Sequence, residues 1–576
     1  MLNFEIALAF QELADLLEFK GEDFFKIRAY RRAARVIACL DEPVGQLFAN
    51  KKLLQVPGIG KNIASKIEEL LTTGKMNKLE EMRKKFHPGL IEIMNLPGIG
   101  PKRAGILFKH LQVASLNELD RAARSEHIRK LPGLGAKTEQ EIIRNIQMLQ
   151  KNTGRYLLGP AKTLAAELCD LLAGFPGVKK IEVTGGVRRW QETVSSINLV
   201  AETGNPEALC LFLASHPRAK EVQICSKYRV KISTWWGIDI ELLTAQEKDY
   251  WAALLWSTGN TAHCQKLASL ARMKGYELSA RGLADAQGRI VTLSSEDDLY
   301  SHLDLPFIPP ELREDKGEIE YCLETGKLPD LVDQKDIKGD LHVHSNWSDG
   351  VSSIEQIADQ AIGLGYSYVA ITDHSASLKI AGGLSAEKLL EQREYIRELN
   401  KKYENFQVLH GIEADILSGG SLDCPEDILN KMDIVIASVH TGFRQDRAAM
   451  TGRIISAVTN KNVDAVGHLT GRLIGTRRGY EVDAEKIFQA AKTHGTCMEI
   501  NSSPDRLDLN EDYSRLAKRH GLKMVINTDA HDLRRMREIP FGVAVARRAW
   551  LCPADILNTA DLGDLLNTLK SKKNNR

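Results

Sequence analysis

The sequence is short of the features that tie a chain to a membrane or to an oxidising compartment. No apolar run approaches the length of a membrane span, and no cleavable signal pattern opens the chain. The nine cysteines are scattered and form no CxxC pair, which argues against a zinc ribbon and fits a reducing compartment. We therefore expect a cytoplasmic protein with no membrane partner.

A strong overall charge is also missing, since the 576 residues carry a net charge of only +1. The charge is unevenly divided, because residues 1–150 hold 24 Lys plus Arg against 18 Asp plus Glu, and the rest holds 53 against 58. This modest basic excess indicates that the amino-terminal part could hold a polyanion. The length predicts several domains.

One pattern occurs three times in this basic part: VPGIGKNIASKIEELL from Val56, LPGIGPKRAGILFKHL from Leu96 and LPGLGAKTEQEIIRNI from Leu131. The Gly-x-Gly pair permits a tight turn, and backbone amides at the start of the following helix can then bind phosphate. The pattern resembles the helix-hairpin-helix motif, which holds DNA backbone without reading bases. A single copy could be a plain connection between helices, and the third copy could be structural. The resemblance implies DNA-binding positions at Gly58, Gly60, Lys61, Gly98, Gly100, Lys102, Arg103 and Lys137.

Nine potential metal ligands occur in the carboxyl-terminal part of the chain, each near the end of a strand-like apolar run. A histidine at a strand end is more often a hydrogen-bonded residue than a ligand. The HxH and DxH spacings favour metal ligands instead, because alternate residues of a strand share one face and both side chains of each pair then point the same way. A set made only of His and carboxylate can hold two or three divalent cations, which activate water against phosphate esters. The candidates are His342, His344, Asp349, His374, Glu413, His440, His468, Asp529 and His531.

The apolar runs that precede these candidates predict their architecture. Runs such as YVAIT, DIVIASV, VDAVG, CMEIN and MVINT are short and β-rich, and helical stretches separate them. This alternation predicts a parallel α/β barrel with polar side chains at the carboxyl ends of its strands, where barrel enzymes place their sites.

The segments DLHVHSNWSDG, ITDHS, GIEADI, SVH, GHLTGR and NTDAH resemble the PHP metallophosphoesterase domain, which is a seven-stranded distorted barrel. The resemblance implies one metal on His342, His344, Glu413 and Asp529. It implies a second on Glu413, His440 and His468, and a third on Asp349, His374 and His531. A mixed set of His and carboxylate suits manganese, zinc or iron more than magnesium, and we expect manganese.

Residues 155–320 resemble the palm and thumb of bacterial family X DNA polymerases, in TGGVRRWQETVSSINLV, GIDIELLT, STGNTAHC and IPPELREDKGEIE. With the hairpins and the PHP segments, this identifies a member of the PHP-bearing bacterial group. The resemblance implies a multidomain protein: an α-helical region, an α+β nucleotidyltransferase palm and thumb, and a (β/α)7-type barrel. The expected boundaries are 1–80 for a helical domain with the first hairpin, 81–150 for a fingers-like domain with two hairpins, 151–244 for the palm, 245–320 for the thumb, 321–336 for a linker and 337–576 for the PHP domain.

The palm departs from its family where the catalytic magnesium ions bind. Family X palms carry an Asp-x-Asp pair, and here Ser196 and Asn198 stand at those positions, leaving the third acid, Asp239, as a vestige. Phosphoryl transfer depends on positioning and on metal charge, so we expect a loss of several orders of magnitude in rate and no magnesium in the palm. Gly185, Gly186 and Arg189 are the expected nucleotide-binding positions. Glu202 cannot compensate, because it lies about 13 Å along the strand from Asn198.

The resemblance implies a metal-dependent 3′-5′ exonuclease that acts in base-excision repair. Its partner would be gapped, nicked or 3′-ended DNA, held without sequence preference by a monomer. One alternative is an active gap-filling DNA polymerase that also has the exonuclease. A second is a non-enzymatic scaffold that binds DNA ends, or a small-molecule phosphatase. The polarity of the exonuclease comes from the family and from no residue of this chain.

Overall fold

The computed structural model of the chain describes residues 3–38, 40, 42–94, 96, 99–136, 138–140, 142–143, 146, 154–216, 219–234 and 237–574. The chain divides into two compact units, Met1–Thr153 and Gly154–Arg576. Among the described residues, the first unit is helical and the second contains every strand. No helix of this described part is both long enough and apolar enough to cross a lipid bilayer.

Amphipathic helices build the first unit around one apolar core. In the helix Lys61–Thr73, Ile63, Ile67 and Leu70 recur at helical spacing and are buried, and Gly74 ends the helix with a φ of +71°. The other α-helices are Asn3–Lys20, Phe24–Ala38, Val44–Ala49, Asn77–Lys85, Pro88–Met94, Gly100–Leu111 and Leu116–Arg124, and one-turn 3₁₀ helices span Leu53–Gln55 and Ile128–Lys130.

A five-stranded palm sheet begins the second unit. Its region contains strands β1 (Tyr156–Leu157), β2 (Val178–Thr184), β3 (Thr193–Val194), β4 (Ser196–Thr203), β5 (Ala219–Cys225), β6 (Arg229–Thr234) and β7 (Asp239–Ala245). The sheet order is β2-β4-β7-β6-β5, and β4 runs parallel to β7. That pairing sets Ser196 opposite Asp239. The helices of this region are Leu158–Ala173, Gly185–Arg188 and Pro206–Ala214.

The thumb is a small helical layer that ion pairs join to the palm. The fully buried Arg313 donates from Nη1 to Oε1 of Glu296 at 2.7 Å, and Arg188 of the palm donates from Nη2 to Oε2 of the same carboxylate at 2.5 Å. A shared, buried carboxylate therefore joins the two regions. The thumb consists of helices Tyr250–Thr258, Thr261–Met273, Glu296–His302 and Glu318–Thr325, the 3₁₀ turn Pro310–Leu312, and the hairpin β8 (Glu277–Ser279) with β9 (Gly282–Ala284).

Seven parallel strands form the carboxyl-terminal barrel in chain order: β10 (Gly339–Val343), β11 (Tyr368–Ile371), β12 (Gln407–Asp415), β13 (Ile434–Ser438), β14 (Ala465–Val466), β15 (Cys497–Asn501) and β16 (Met524–Asn527). A parallel bridge between Val343 and Ala530 brings the last strand beside the first, so the barrel is nearly closed. The strands are buried on both faces, as their apolar composition predicts. The predicted fold class is confirmed.

Helices alternate with these strands and cover the barrel, with the apolar core between them. The α-helices are Ile354–Gly363, Ala386–Asn400, Glu426–Leu429, Arg447–Val458, Ala484–His494, Glu511–Arg519, Ile539–Arg548 and Leu562–Asn574. One-turn 3₁₀ helices span Gln334–Asp336, Lys379–Ala381, Arg535–Glu538, Pro553–Asp555 and Leu557–Thr559.

Candidate metal centre and palm site

The nine predicted metal ligands converge at the carboxyl ends of the barrel strands. His342 lies in β10 and Glu413 in β12, and the other seven lie in the segments that follow β10, β11, β13, β14 and β16. His342, His344 and Glu413 are buried, whereas the side chains of Asp349 and His531 are about one-third exposed at the rim. A buried centre with an open rim allows a substrate to approach from one side.

One group of ligand atoms joins β10 to the residues after β16. His344 Nε2 lies 3.2 Å from Asp529 Oδ1 and 3.7 Å from Glu413 Oε2, and His342 Nε2 lies 3.5 Å from Glu413 Oε1. Two ligands bound to one tetrahedral ion at 2.0–2.2 Å lie about 3.4 Å apart. The observed spacings match a shared divalent cation.

Glu413 also faces a second group of ligands. His440 Nε2 lies 3.3 Å from Oε1 of Glu413, and His468 Nε2 lies 3.1 Å from the same oxygen. Because the first group contacts this carboxylate too, Glu413 lies where a bridging ligand between two ions would be.

A third group of candidate ligands surrounds Asp349 at the rim. Its Oδ1 lies 3.5 Å from His374 Nε2 and 3.4 Å from His531 Nε2, and His344 Nδ1 lies 4.0 Å away. Ligand atoms of these four residues all lie within 4.8 Å of one another. His344 and His374 each face two of the groups, since Nδ1 of His374 lies 2.8 Å from Oε2 of Glu413 and groups with it and His440. The assignment of individual residues to separate ions therefore stays a prediction.

The donor atoms fit metal ions because some of them lack any other partner. Nε2 of His342 and both ring nitrogens of His344 are buried and accept or donate no hydrogen bond. Leaving a buried polar atom unsatisfied costs about 1–3 kcal/mol, which coordination to a cation would offset. The chemistry of the set, six imidazoles and three carboxylates, is that of a transition-metal site.

The pKa values of the carboxylates suit metal binding, whereas neighbouring carboxylates, Glu413 among them, outweigh burial and raise the pKa of His342, His374 and His440. Burial raises the pKa of Glu413, but His440, His342 and His374 lower it well below its usual value. The pKa of Asp529 is likewise low, because His342, His344 and Arg506 outweigh its burial. Burial, with smaller contributions from His374 and His531, lowers the pKa of His344 to about 3. Ionised carboxylates and neutral imidazole are the forms that bind cations.

Two supporting carboxylates were missed by the sequence analysis. Glu499 lies 2.7 Å from Nδ1 of His342 and accepts a hydrogen bond from the backbone N–H of His468 at 2.8 Å. Asp415 accepts a hydrogen bond from the backbone N–H of His440 at 3.1 Å. Such contacts orient metal-binding histidines. The signal in the sequence is Glu499, a charged residue inside the otherwise apolar strand CMEIN.

The palm positions lie side by side as their resemblance implies. Ser196 Oγ donates to Oδ1 of Asn198 at 2.9 Å, and Asp239 pairs with Ser196 across the sheet. Gly185 has a φ of +62°, and a Cβ there would lie 2.7 Å from Asn198 Nδ2. A cavity of about 490 Å³ opens here, and its lining includes Gly185, Gly186, Arg189, Ser196 and Asn198.

Asp239 has a positive partner within the palm. Lys231 Nζ lies 2.9 Å from Oδ2 of Asp239, Ser233 Oγ donates to Oδ1 at 2.6 Å, and Gln223 Nε2 lies 3.3 Å from Oδ1. Burial raises the pKa of Asp239, but the hydrogen bonds from Ser233 and Lys231 lower it below its usual value. Asp239 is therefore an ionised carboxylate whose partners are Lys231 and Ser233.

The nearby acids also have partners. Glu202 accepts from Lys180 Nζ at 2.8 Å, and Glu241 accepts from Arg229 Nε at 2.6 Å. Arg189 donates from Nε to Glu314 at 2.8 Å and from Nη1 to the carbonyl of Thr258. The predicted nucleotide-binding arginine thus already has protein partners at two of its nitrogens.

The helical hairpins have the turn geometry that their glycines predict. Gly58 has a φ of +99° and a Cβ there would lie 3.1 Å from Val36 Cγ2, and Gly60 caps the helix Lys61–Thr73. Gly100 has a φ of +52° and begins the helix Gly100–Leu111. Lys61, Lys102 and Arg103 are exposed. Gly98 and Lys137 lie outside the described residues, and contact of any of these positions with DNA stays a prediction.

Protein-family models match the chain in the order that the sequence motifs predict: helical hairpins, thumb and PHP domain. A helix-hairpin-helix domain matches residues 1–76, and a SAM-like helix-hairpin-helix tandem matches residues 90–147. The DNA polymerase beta thumb matches residues 253–314, and the PHP domain matches residues 340–503. The domain boundaries expected from the sequence stay predictions.

Some relatives match nearly the whole chain, and others match less than half of it. DNA polymerase/3′-5′ exonuclease PolX of Bacillus subtilis (strain 168) is 36% identical over 569 residues, which cover 98% of this chain and 99% of that protein. A probable phosphatase of Thermoanaerobacter sp. (strain X514) is 34% identical over 248 residues, covering 41% of this chain and 95% of the relative. A probable phosphatase of Acetivibrio thermocellus is 29% identical over 201 residues, covering 33% and 78%.

Proposed function

This chain belongs to the bacterial family X DNA polymerases that carry a PHP domain, and we propose that it is a metal-dependent 3′-5′ exonuclease acting on DNA. The PHP domain is the source of the hydrolysis, and DNA polymerase activity is lost or very weak. One observation carries the proposal: nine candidate ligand side chains meet in the barrel, whereas the palm has one acid, Asp239, at the three expected positions, and it is paired to Lys231.

Within the barrel, each part of the ligand set has a task. Glu413 contacts histidines of two groups and would be shared between ions, while Asp349 and His531 at the rim would face the entering strand. Divalent ions held here, proposed to be manganese, would activate water and neutralise charge on a phosphodiester. The orienting contacts of Glu499 and Asp415 would fix the imidazole rings.

DNA would be held by the helical hairpins. Backbone amides beside Gly58, Gly60 and Gly100, with the exposed Lys61 and Lys102, present donors and positive charge for phosphate oxygens. Such contacts carry no base specificity, so gapped, nicked and 3′-ended DNA would bind regardless of sequence. We propose that the protein acts as a monomer and that its DNA binding and exonuclease serve base-excision repair.

The loss of polymerase activity follows from charge. Two magnesium ions would bring four positive charges to a triphosphate, whereas the palm offers Asp239, already neutralised by Lys231, beside neutral Ser196 and Asn198. Without metal charge, phosphoryl transfer loses its main stabilisation.

One assay separates the candidate functions. Purified protein with manganese is incubated with recessed or gapped DNA labelled at its 5′ end, with and without deoxynucleotides. Progressive shortening from the 3′ end supports the proposal, extension with nucleotides supports an active polymerase, and retention without change supports a scaffold that binds DNA ends.

Two alternatives have specific support. The Bacillus subtilis relative is named for both polymerase and exonuclease, which favours a gap-filling polymerase with an exonuclease. The relatives that align with the barrel are named probable phosphatases, which favours hydrolysis of small phosphate monoesters. The exonuclease is preferred because the helical hairpins would have no task in a small-molecule phosphatase.

A further inference from the structure

An arginine outside the predicted ligand set stands at the edge of the metal centre. Arg506 follows β15, and its Nε lies 3.5 Å from Oδ2 of Asp529. The other oxygen of Asp529, Oδ1, is the one that faces His344 Nε2 at 3.2 Å. Arg506 therefore contacts the oxygen of this candidate metal ligand that does not face His344, and Asn501 Nδ2 donates to the same oxygen at 3.1 Å.

The two terminal nitrogens of Arg506 have no hydrogen-bond partner among the described residues, and the side chain is 21% exposed. The guanidinium is thus anchored at one nitrogen and offers donors at the other two. A planar pair of donors matches two oxygens of a phosphate group. The contact of Nε with Asp529 places the guanidinium beside the centre where a phosphodiester would react.

The backbone that carries Arg506 is held by a second arginine. Arg472 donates from Nε to the carbonyl of Arg506 at 2.7 Å and from Nη2 to the carbonyl of Leu507 at 2.6 Å. Leu507 has a φ of +45°, a left-handed conformation that leucine rarely adopts and that needs support from its surroundings. Arg472 supplies that support.

Arg472 is in turn held by the palm. Its Nη2 donates to Oε2 of Glu192 at 2.7 Å. The palm also packs on the same loop, since a Cβ at Gly159 would lie only 2.9 Å from Cβ of Pro504. A palm side chain and a palm helix therefore fix the loop that presents Arg506.

We propose that Arg506 binds the phosphate group at the bond to be cleaved, and that Glu192 acts through Arg472 as a positioning residue for Arg506. The inference rests on the proposed nuclease function. It gives the palm a task that does not need its lost acids: it shapes the phosphate site of the neighbouring barrel.

The first test replaces Arg506 in the full-length, manganese-loaded protein. Arg506→Ala should lower kcat/KM for 5′-labelled single-stranded DNA by roughly 10- to 100-fold, mainly through KM, with unchanged manganese content by metal analysis. Arg506→Lys should keep part of the activity, and added guanidinium should partly rescue Arg506→Ala. Arg478→Ala, at an exposed arginine of a neighbouring loop, is the matched control. Unchanged kcat/KM, or a loss of manganese, would overturn the phosphate role.

The second test is a double-mutant cycle between palm and barrel. Glu192→Ala should lower kcat/KM roughly 3- to 10-fold in the otherwise native protein and cause no further loss in the Arg506→Ala background. The exposed palm residue Glu207, changed to Ala, is the control. Equal losses in both backgrounds would show that Glu192 does not act through Arg506.

A third measurement separates this inference from the proposed function. The same variants are assayed with bis(p-nitrophenyl) phosphate and p-nitrophenyl phosphate. If the native protein leaves DNA intact but cleaves either probe, the exonuclease proposal fails, and a KM increase in Arg506→Ala would still support the phosphate contact. Cleavage of DNA and probes with no Arg506 effect would overturn only the inference.

Discussion

The barrel site and the palm site are built alike and differ in how their polar atoms are satisfied. In both, polar side chains stand together at one edge of a sheet. In the barrel, Nε2 of His342 and both ring nitrogens of His344 make no hydrogen bond. In the palm, Asn198 accepts from Ser196, and Asp239 accepts from Ser233 and pairs with Lys231.

The difference separates a site that has free donor atoms from a site whose donor atoms already have protein partners. Three ring nitrogens of His342 and His344 are free of hydrogen bonds that would compete with coordination to a cation. In the palm, Lys231 is the positive partner of Asp239, which fits the proposed loss of polymerase activity. The register between β4 and β7 sets Ser196 opposite Asp239.

The largest expected effect tests whether the barrel ligands carry the hydrolysis. His344→Ala and Asp529→Ala should each lower DNA shortening by at least about 10³-fold, because His344 contacts both Asp529 and Glu413 and each change removes a candidate ligand from this group. The rate is measured with 5′-labelled DNA and manganese, and DNA affinity, measured by anisotropy, should not change. His494→Ala, in a helix outside the cluster, serves as the control. Wild-type rates in both ligand variants would assign the nuclease elsewhere.

The next effect tests the palm, in a His344→Ala background that removes degradation. Native palm residues should give no measurable gap filling, and Ser196→Asp with Asn198→Asp should raise extension only slightly. Adding Lys231→Ala should raise it further, by roughly 10³-fold over the native palm at most, since the lysine no longer competes for Asp239. Primer extension with magnesium or manganese measures this. Robust gap filling by the native palm that disappears on Asp239→Ala would favour the polymerase alternative.

A smaller effect is expected from the buried carboxylate that supports His342. Glu499→Gln keeps the shape but removes the charge 2.7 Å from Nδ1 of His342, so manganese affinity should fall roughly 10- to 100-fold. Metal titration of the full-length protein measures the change. The exposed Glu404→Gln is the control, and an unchanged manganese affinity in Glu499→Gln would remove Glu499 from the metal site.

The smallest effect concerns DNA affinity. The logarithm of the association constant should fall linearly with the logarithm of salt concentration, and Lys61→Ala and Lys102→Ala should each reduce the slope by about 1. The affinity loss should be the same for unrelated DNA sequences. Lys220→Ala, an exposed lysine of the palm, is the control. Salt-independent binding would contradict contact of the hairpins with DNA backbone.

Much of the barrel site was predictable because strand geometry is local. Alternation along a strand puts His342 and His344 on one face, and the carboxyl ends of parallel strands meet at one edge, so ligands from distant segments had to converge. The assignment of ligands to single ions was less predictable. His344 faces both Asp529 and Asp349, because buried side chains settle by packing and not by their order in the chain.

The sequence by itself determined which chemical groups each site can offer: nine ligands in the barrel, and Ser196 and Asn198 in place of two palm acids. Only the tertiary structure decided which groups are partners. Lys231 pairs diagonally with Asp239, because the antiparallel register sets Ser233 opposite Asp239 and Lys231 two positions away on the same strand. Glu192 meets Arg472 across 280 positions because the palm packs against the barrel. Contacts of this kind depend on long-range packing, which no local pattern of residues encodes.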